Sequence, residues 1–104
     1  MENLKMEFEK DMWESYDEIK KVYNPTIFYS MLKKYGGIET AKRLLAPKNS
    51  IQYGLKKLDG LNKLHLSVEY LVLRDKYKSL FTKQELEIAK WRLESFDYII
   101  DKII

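Results

Sequence analysis

Apolar side chains recur every three or four residues over residues 3–23, the spacing that places them on one face of an α-helix. The stripe consists of Leu4, Phe8, Met12, Tyr16, Ile19 and Tyr23. Asn24 then predicts an N-cap, followed by Pro25 in the first turn of a second helix, where the missing N–H of proline costs no hydrogen bond. We therefore expect two antiparallel helices joined at Asn24.

The middle of the chain is predicted to consist of short helices separated by glycine and proline. The second helix is expected to end at Gly36, because glycine is costly inside a helix and useful where the chain turns. Its predicted buried side consists of Ile27, Phe28, Met31, Leu32 and Tyr35. A short helix over residues 38–45 follows and ends before Pro47, since the residue before proline is pushed out of the helical conformation. Another short helix is predicted over residues 50–58, and Gly60 stops it.

Two further helix starts are visible in the last third of the chain. Ser67 is a good N-cap for a short helix over residues 68–73, although that run also fits a β-strand. Residues 82–85, Thr-Lys-Gln-Glu, form a capping box, and Phe81 is placed to pack against Leu86. The apolar pattern then continues almost to the end of the chain, which predicts a helix of about 22 residues, roughly 30 Å long. Its wide apolar face requires cover from the short central helices or from a partner.

These patterns predict an all-α fold: a single compact domain over residues 1–104, with five or six helices. Long first and last helices are expected to bracket short central helices. A length of 104 residues, 45% hydrophobic and 34% charged, suits one soluble domain. Neither a secretory signal nor an apolar run long enough to cross a bilayer is visible, so we expect a cytoplasmic protein with no membrane contact. Without cysteine, disulfides and thiolate zinc sites are excluded.

Charge is unevenly distributed along the chain. Residues 1–19 contain seven acids and two bases, residues 20–63 ten bases and two acids, and residues 64–104 seven of each. The basic middle, with a net charge of +8, suits contact with the phosphates of a nucleic acid. The candidate nucleic-acid-binding residues are Lys42, Arg43, Lys48, Lys56, Lys57 and Lys63. Two alternatives are a solvated basic face and neutralisation of these cations by the acidic first helix.

The same region has approximately the element lengths of a helix-turn-helix. A helix over residues 38–45, a turn at 46–49 and a helix over 50–58 match that motif in length. Proline and lysine occupy the turn, the usual glycine is absent, and few residues beyond Gln52 suit the reading of base edges. A structural pair of packed helices explains the same pattern.

Catalytic residues are not predicted. His65 is the only histidine, and its position between two leucines is typical of a packed or half-exposed side chain rather than a general base. Glu69 lies two residues into a short helix between apolar neighbours. We expect it to pair with a buried base or to accept hydrogen bonds from the start of its own helix. The sequence therefore predicts no catalytic, cofactor-binding or metal-binding residue, and a small enzyme centred on His65 and Glu69 is the least favoured hypothesis.

Three aromatic residues are candidates for a protein interface. Trp13 lies beside the stripe of the first helix, and Trp91 and Tyr98 lie outside the stripe of the last helix. Large aromatic side chains are favoured as anchors in interfaces, and exposed ones mark a surface for a protein partner or a homodimer. Packing of the same side chains in the core is the alternative.

Several motifs follow one another in a fixed order over residues 25–95. They include Tyr35-Gly36-Gly37, Ala41-Lys42-Arg43-Leu44-Leu45, Lys63-Leu64-His65-Leu66-Ser67-Val68-Glu69 and Leu80-Phe81-Thr82. In this set the chain resembles a widespread small helical domain of bacteria and phages, usually left as a hypothetical protein. The resemblance implies a self-contained helical module of bacteria or their mobile elements, without a known activity or functional residues. His65 replaces an aspartate of that domain, and Leu55 replaces an aromatic residue.

We therefore expect a non-enzymatic binding module of bacterial or mobile-element origin. Its leading function is association with nucleic acid or nucleoprotein through the basic segment, residues 42–63. The alternative is a protein–protein interaction module, such as an inhibitor or regulator, acting through the C-terminal helix.

Overall fold

The computed structural model describes residues 2–46 and 53–103, and in these residues it contains five α-helices. They are α1 (Glu2–Lys20), α2 (Thr26–Leu44), α3 (Tyr53–Gly60), α4 (Val68–Val72) and α5 (Lys83–Glu94). Three single turns of 3₁₀ helix span Leu64–Leu66, Lys78–Leu80 and Ile100–Lys102. No strand occurs in the described residues, so the all-α prediction is confirmed and the strand alternative for residues 68–73 is wrong.

Two helix pairs, α1 with α2 and α4 with α5, pack around one core. The predicted stripe of α1 supplies its buried residues Phe8, Met12, Tyr16 and Ile19. The molecule measures 34 × 28 × 24 Å, as expected for one domain of this length. None of the described helices combines the length and the hydrophobicity needed to cross a bilayer.

A kink at Gly36 divides α2 and brings it close to α1. Gly36 has φ 80° and ψ 177°, a conformation that glycine adopts without steric cost. The predicted stop at Gly36 is therefore a kink, after which the helix continues. The N–H of Gly37 donates to the Glu9 carboxylate, which also accepts the indole N–H of Trp13 at 2.7 Å. A Cβ on Gly37 would lie only 3.1 Å from Glu9 Cα, so glycine permits this approach of the two helices.

The start of α2 differs from the prediction by one residue. Pro25 occupies the capping position without a side-chain hydrogen bond, and the carbonyl of Asn24 accepts from Thr26 N–H at 3.0 Å. Ile27, predicted to be buried, is 76% exposed, because no described residue covers the first turn on that side. Leu32 is buried as expected, at 2% exposure.

The predicted caps of α4 and α5 are confirmed. Ser67 Oγ accepts from Tyr70 N–H at 3.0 Å. Thr82 Oγ1 accepts from Glu85 N–H at 3.1 Å, while Glu85 Oε1 accepts from Thr82 N–H at 2.8 Å. Both capping-box bonds satisfy N–H groups that the helix itself leaves free.

The last helix is shorter than the sequence suggests. α5 has 12 residues and ends at Glu94, whereas the apolar pattern predicts about 22 residues. Asp97 has φ 62°, which aspartate tolerates better than most residues and which no α-helix can contain. Ile103 then packs back into the core at 8% exposure. The chain's own C-terminal residues therefore cover part of the apolar face that seemed to require a partner.

Gly37→Ala should destabilise the fold by about 1–3 kcal/mol, because the added methyl group overpacks the contact with the α1 backbone. Gly60→Ala is the matched control, since nothing lies within 4 Å of a Cβ there. The stability of the Gly60→Ala variant should be unchanged or slightly raised. Urea unfolding followed by circular dichroism measures both variants. Equal stability of the two would contradict the close approach at Gly37.

Candidate functional site

Most acids of α1 that form ion pairs meet bases outside the basic middle of the chain, and Glu18, which pairs with Lys21, is the exception. Oε2 of Glu7 lies 2.5 Å from Nζ of Lys76, and Oδ2 of Asp11 lies 4.0 Å from Nη1 of Arg74. Both bases belong to the loop that follows α4. Three other acids of α1 pair with lysines three or four residues away along the chain, and they are Glu2, Glu14 and Glu18.

Lysines of the basic middle are mostly left without acid partners. Six of them form no ion pair with any described residue, and they are Lys20, Lys33, Lys34, Lys56, Lys57 and Lys63. Outside the basic middle, only two of the lysine side chains that the structure describes form no ion pair with a described residue, and they are Lys83 and Lys90. Free positive charge is therefore concentrated between residues 20 and 63.

Two of these lysines lie beside the C-terminal end of α1. Lys57 Nζ lies 5.8 Å from the centre of the Tyr23 ring, which places α3 next to the end of α1. The pKa of the Glu18 carboxyl is held below its ordinary value chiefly by the hydrogen bond from Lys21, with a smaller contribution from the charge of Lys63. Lys63 therefore also lies within electrostatic reach of this end.

Two more lysines join the same region through the α1–α2 contact. Lys20 Nζ lies 5.4 Å from the centre of the Tyr16 ring, and Lys33 Nζ lies 5.7 Å from that of Tyr29. The Tyr16 and Tyr29 rings are themselves 5.2 Å apart. We refer to Lys20, Lys33, Lys57 and Lys63 together as the basic end.

Two of the predicted nucleic-acid-binding residues are instead engaged in ion pairs. Lys42 Nζ lies 3.0 Å from Glu85 Oε1. Arg43 Nε lies 3.0 Å from Glu39 Oε2, and its guanidinium lies 3.9 Å from the centre of the Tyr35 ring. Both charges are therefore neutralised locally.

The remaining predicted cations belong to the helix-turn-helix hypothesis. Lys56 and Lys57 are exposed on α3. Lys48, Gln52 and the greater part of the predicted turn lie outside the described residues, as does the predicted start of the helix over 50–58. The helix-turn-helix therefore stays a prediction.

Trp13 is part of an aromatic cluster rather than a free surface. Its ring is half-buried and meets Tyr16 and Tyr29 edge-on, at centroid distances of 5.8 and 6.0 Å. The hydrogen bond from its indole N–H to Glu9 fixes its orientation.

Trp91 and Tyr98 differ in exposure. Trp91 is 50% exposed on α5. Tyr98 is half-buried and meets Tyr70 edge-on at 6.2 Å, and this burial raises the pKa of its hydroxyl. Of the three predicted interface residues, Trp91 therefore presents the most exposed ring.

His65 and Glu69 occupy different environments. His65 is exposed, whereas Glu69 is 4% exposed, with Oε2 3.0 Å from Nη1 of the fully buried Arg92. The same Nη1 donates to the carbonyl of Leu44 at 2.6 Å. Burial raises the pKa of Glu69, and a hydrogen bond from its own backbone N–H, followed by the charge of Arg92, opposes this effect. Glu69 thus pairs with a buried base and also accepts from the backbone at the start of its own helix, so both of the sequence alternatives apply.

The burial of Arg92 and its pairing with Glu69 are what the sequence analysis does not identify. Arg92 lies next to Leu93 and three residues after Ala89, and both of these are buried residues of the predicted stripe. A base at such a position is a signal for a buried ion pair, and Glu69 among apolar neighbours is the complementary signal.

A cavity of about 240 Å³ lies between the end of α1, the start of α2, α3 and α4. Its walls are mostly apolar, and Phe28 and Leu55 are among them, while Glu69 contributes a polar group. Tyr23, the neighbour of Lys57, also lines the cavity, which therefore lies next to the basic end. Within residues 2–46 and 53–103, no three His, Cys, Asp or Glu side chains are grouped so as to hold a metal ion.

Glu85→Gln should lower the free energy of unfolding by about 0.5–1 kcal/mol at neutral pH, since Lys42 loses its ion-pair partner. Partial burial raises the pKa of Glu85, but hydrogen bonds from Thr82 and Lys42 outweigh it and hold the pKa below its ordinary value of 4.5. The stabilisation is therefore fully present above pH 4.5 and is lost as the pH falls through the lower pKa of the folded state.

Urea unfolding from about pH 7 to about pH 3 measures this dependence. The difference between the parent protein and Glu85→Gln should shrink in the acid range. Glu87→Gln is the control on the same helix, because Glu87 forms no ion pair with a described residue. A loss for Glu85→Gln that does not depend on pH would contradict the ion pair with Lys42.

Arg92→Met and Glu69→Leu should each destabilise the fold by about 3–5 kcal/mol, because each leaves the partner buried without its counter-charge. The double variant should be much less destabilised than the sum of the two losses, since both charges are then removed. Chemical unfolding of the four proteins gives the coupling energy. Additive losses would show that the two residues do not act as a pair.

Comparison of the chain with protein-family models, with curated proteins and with solved structures found no match.

Proposed function

We propose that this protein is a non-enzymatic binding module that contacts the phosphates of a nucleic acid through its basic end. The supporting observation is a group of four lysines that form no ion pair with a described residue and lie along the C-terminal half of α1 or beside the residues that follow it: Lys20, Lys33, Lys57 and Lys63. Such cations gain affinity for phosphates by releasing counterions from the nucleic acid.

The pairing of the α1 acids supports this proposal. Glu7 and Asp11 face the loop after α4, where Lys76 and Arg74 meet them. Glu7 and Asp11 therefore do not neutralise the basic end. Glu18 lies beside that end, pairs with Lys21 and is within electrostatic reach of Lys63, so neutralisation within the fold stays an alternative for Lys63. A solvated basic face without a ligand is the alternative that a binding experiment tests.

The proposal modifies the predicted set of contacts. Lys57 and Lys63 belong to the basic end, and exposed Lys56 is the neighbour of Lys57 on α3. Lys42 and Arg43 must leave their carboxylate partners before they can contact a phosphate, so we expect them to contribute less. Lys48 stays a prediction.

A protein partner that binds α5 is the second candidate function. Exposed apolar side chains favour it, since Trp91 is 50% and Ile99 is 56% exposed. However, Ile103 is buried and Tyr98 packs against Tyr70, so the chain itself covers much of the C-terminal apolar face. Isolated exposed apolar side chains are normal on soluble proteins, which gives this candidate less support. A nucleoprotein partner, a homodimer, a bacterial or mobile-element origin and a cytoplasmic location also stay predictions.

The double variant Lys57→Gln/Lys63→Gln should bind a fluorescein-labelled oligonucleotide about 10-fold more weakly at low salt. Because two phosphate-contacting charges are lost, the slope of log Kd against log salt concentration should also fall by about 1.4–1.8. Fluorescence anisotropy at several salt concentrations measures both. The matched control is Lys83→Gln/Lys90→Gln, which removes the same charge from two lysines that also form no ion pair with described residues.

The control should change the slope much less than the variant at the basic end. Equal effects of the two variants would mean that net charge alone drives binding. The absence of binding by the parent protein at low salt would refute the proposed function.

A further inference from the structure

Four of the six lysines without ion pairs lie beside a tyrosine ring instead of a carboxylate. The pairs, with distances from Nζ to the ring centre, are Lys20 and Tyr16 at 5.4 Å, Lys33 and Tyr29 at 5.7 Å, Lys34 and Tyr35 at 5.3 Å, and Lys57 and Tyr23 at 5.8 Å. Cations interleaved with aromatic rings are the combination by which proteins bind single-stranded nucleic acids, where the cations follow the phosphates and the rings stack on bases.

Tyr29 is the ring best placed to stack on a base. It is 39% exposed, whereas Tyr16 is 9% exposed. Tyr16 lies 5.2 Å from Tyr29 with an angle of 35° between the rings, and Trp13 meets Tyr29 edge-on at 6.0 Å. The hydrogen bond from Trp13 to Glu9 fixes this cluster. Tyr29 is therefore an exposed ring whose orientation is set before any ligand arrives.

The lysine beside the Tyr29 ring, Lys33, suits contact with a neighbouring phosphate. Lys33 lies one helical turn after Tyr29 on α2 and approaches the ring through a weak cation–π contact rather than an ion pair. Its flexible side chain can move from the ring to a phosphate, which leaves the ring free for a base. Lys20 lies beside the Tyr16 ring, which contacts Tyr29, and offers a second charge for the backbone of the nucleic acid.

From Leu55 onward, the exposed positions of α3 suit phosphates better than base edges. Leu55 and Leu58 are buried, so Lys56, Lys57 and Asp59 are the exposed side chains between them and after them. Two lysines supply charge but few of the paired donors and acceptors by which a helix reads the major groove of a duplex. In a duplex the bases are also stacked on one another and cannot reach a ring on the protein surface.

We infer that the basic end binds a single-stranded nucleic acid, with an unpaired base stacked on Tyr29 and neighbouring phosphates contacted by Lys20 and Lys33. This inference rests on the proposed function, because it names the kind of nucleic acid that the same surface takes. RNA and DNA share the chemistry involved.

The test uses four labelled probes of equal length: oligothymidine, oligouridine, a DNA strand with abasic sites throughout, and duplex DNA. Fluorescence anisotropy at low salt compares the parent protein with Tyr29→Ala, Tyr29→Phe and Trp91→Ala. The parent should bind the two single strands more tightly than the abasic strand and the duplex. Tyr29→Ala should weaken single-strand binding about 5-fold to 150-fold, the effect of losing one base–aromatic stack.

Tyr29→Phe keeps a ring and should bind single strands within about 3-fold of the parent, since stacking does not need the hydroxyl. Tyr29→Ala should bind the abasic strand as the parent does, and Trp91→Ala should change none of the affinities. Comparison of oligouridine with oligothymidine shows whether RNA or DNA is preferred.

Equal affinity of the parent for all four probes, with no effect of Tyr29→Ala, would overturn the inference and leave phosphate binding intact. Binding to none of the probes would remove the proposed function as well. Circular dichroism melts show whether Tyr29→Ala is folded. If it is not, the comparison of the single strands with the abasic strand in the parent, together with Tyr29→Phe, decides the question.

Discussion

The buried contact of Arg92 with Glu69 and with the carbonyl of Leu44 determines how the helices of this protein assemble. It joins α5, α4 and the end of α2 at one point, with Nη1 of Arg92 3.0 Å from the carboxylate and 2.6 Å from the carbonyl. A fully buried guanidinium requires such partners, because removal of a charge from water is otherwise too costly. Its other two nitrogens, Nε and Nη2, find no acceptor among the described residues, so these two contacts alone compensate the buried charge there.

This arrangement also explains why the positive charge is left free. With α4 fixed against α5, the loop that follows α4 meets α1, and its bases Arg74 and Lys76 take up the Asp11 and Glu7 carboxylates. Glu7 and Asp11 of the acidic helix are therefore neutralised away from the basic end, whereas Glu18 pairs with Lys21 beside it. The lysines of the basic end remain next to tyrosine rings, where a phosphate can compete for them more easily than it can compete with a carboxylate.

Local signals allowed most of the helices to be predicted, and distant contacts account for the errors. The α1 stripe and the caps at Ser67 and Thr82 depend on residues within one or two turns, so they were visible in the sequence. The Arg92–Glu69 pair joins positions 23 residues apart, and the Lys42–Glu85 pair joins positions 43 residues apart.

The sequence predicts too long a C-terminal helix, because the apolar periodicity continues through a turn that Asp97 makes possible by its positive φ. The candidate site was predicted in part. Lys57 and Lys63 were named from the basic segment, whereas Lys20 and Lys33 were not, because only folding brings α1, α2 and α3 together at this end. Exposure of Tyr29 on a fixed aromatic cluster also depends on the α1–α2 contact, which no local pattern reveals.

The most direct test of nucleic-acid binding at the basic end is a map of backbone amide chemical shifts, recorded by NMR while a single-stranded oligonucleotide is added at low salt. The account predicts that the largest shifts fall on the end of α1, the start of α2 and residues 53–63, with little change along α5. Shifts centred on Trp91, or no shifts at all, would contradict it.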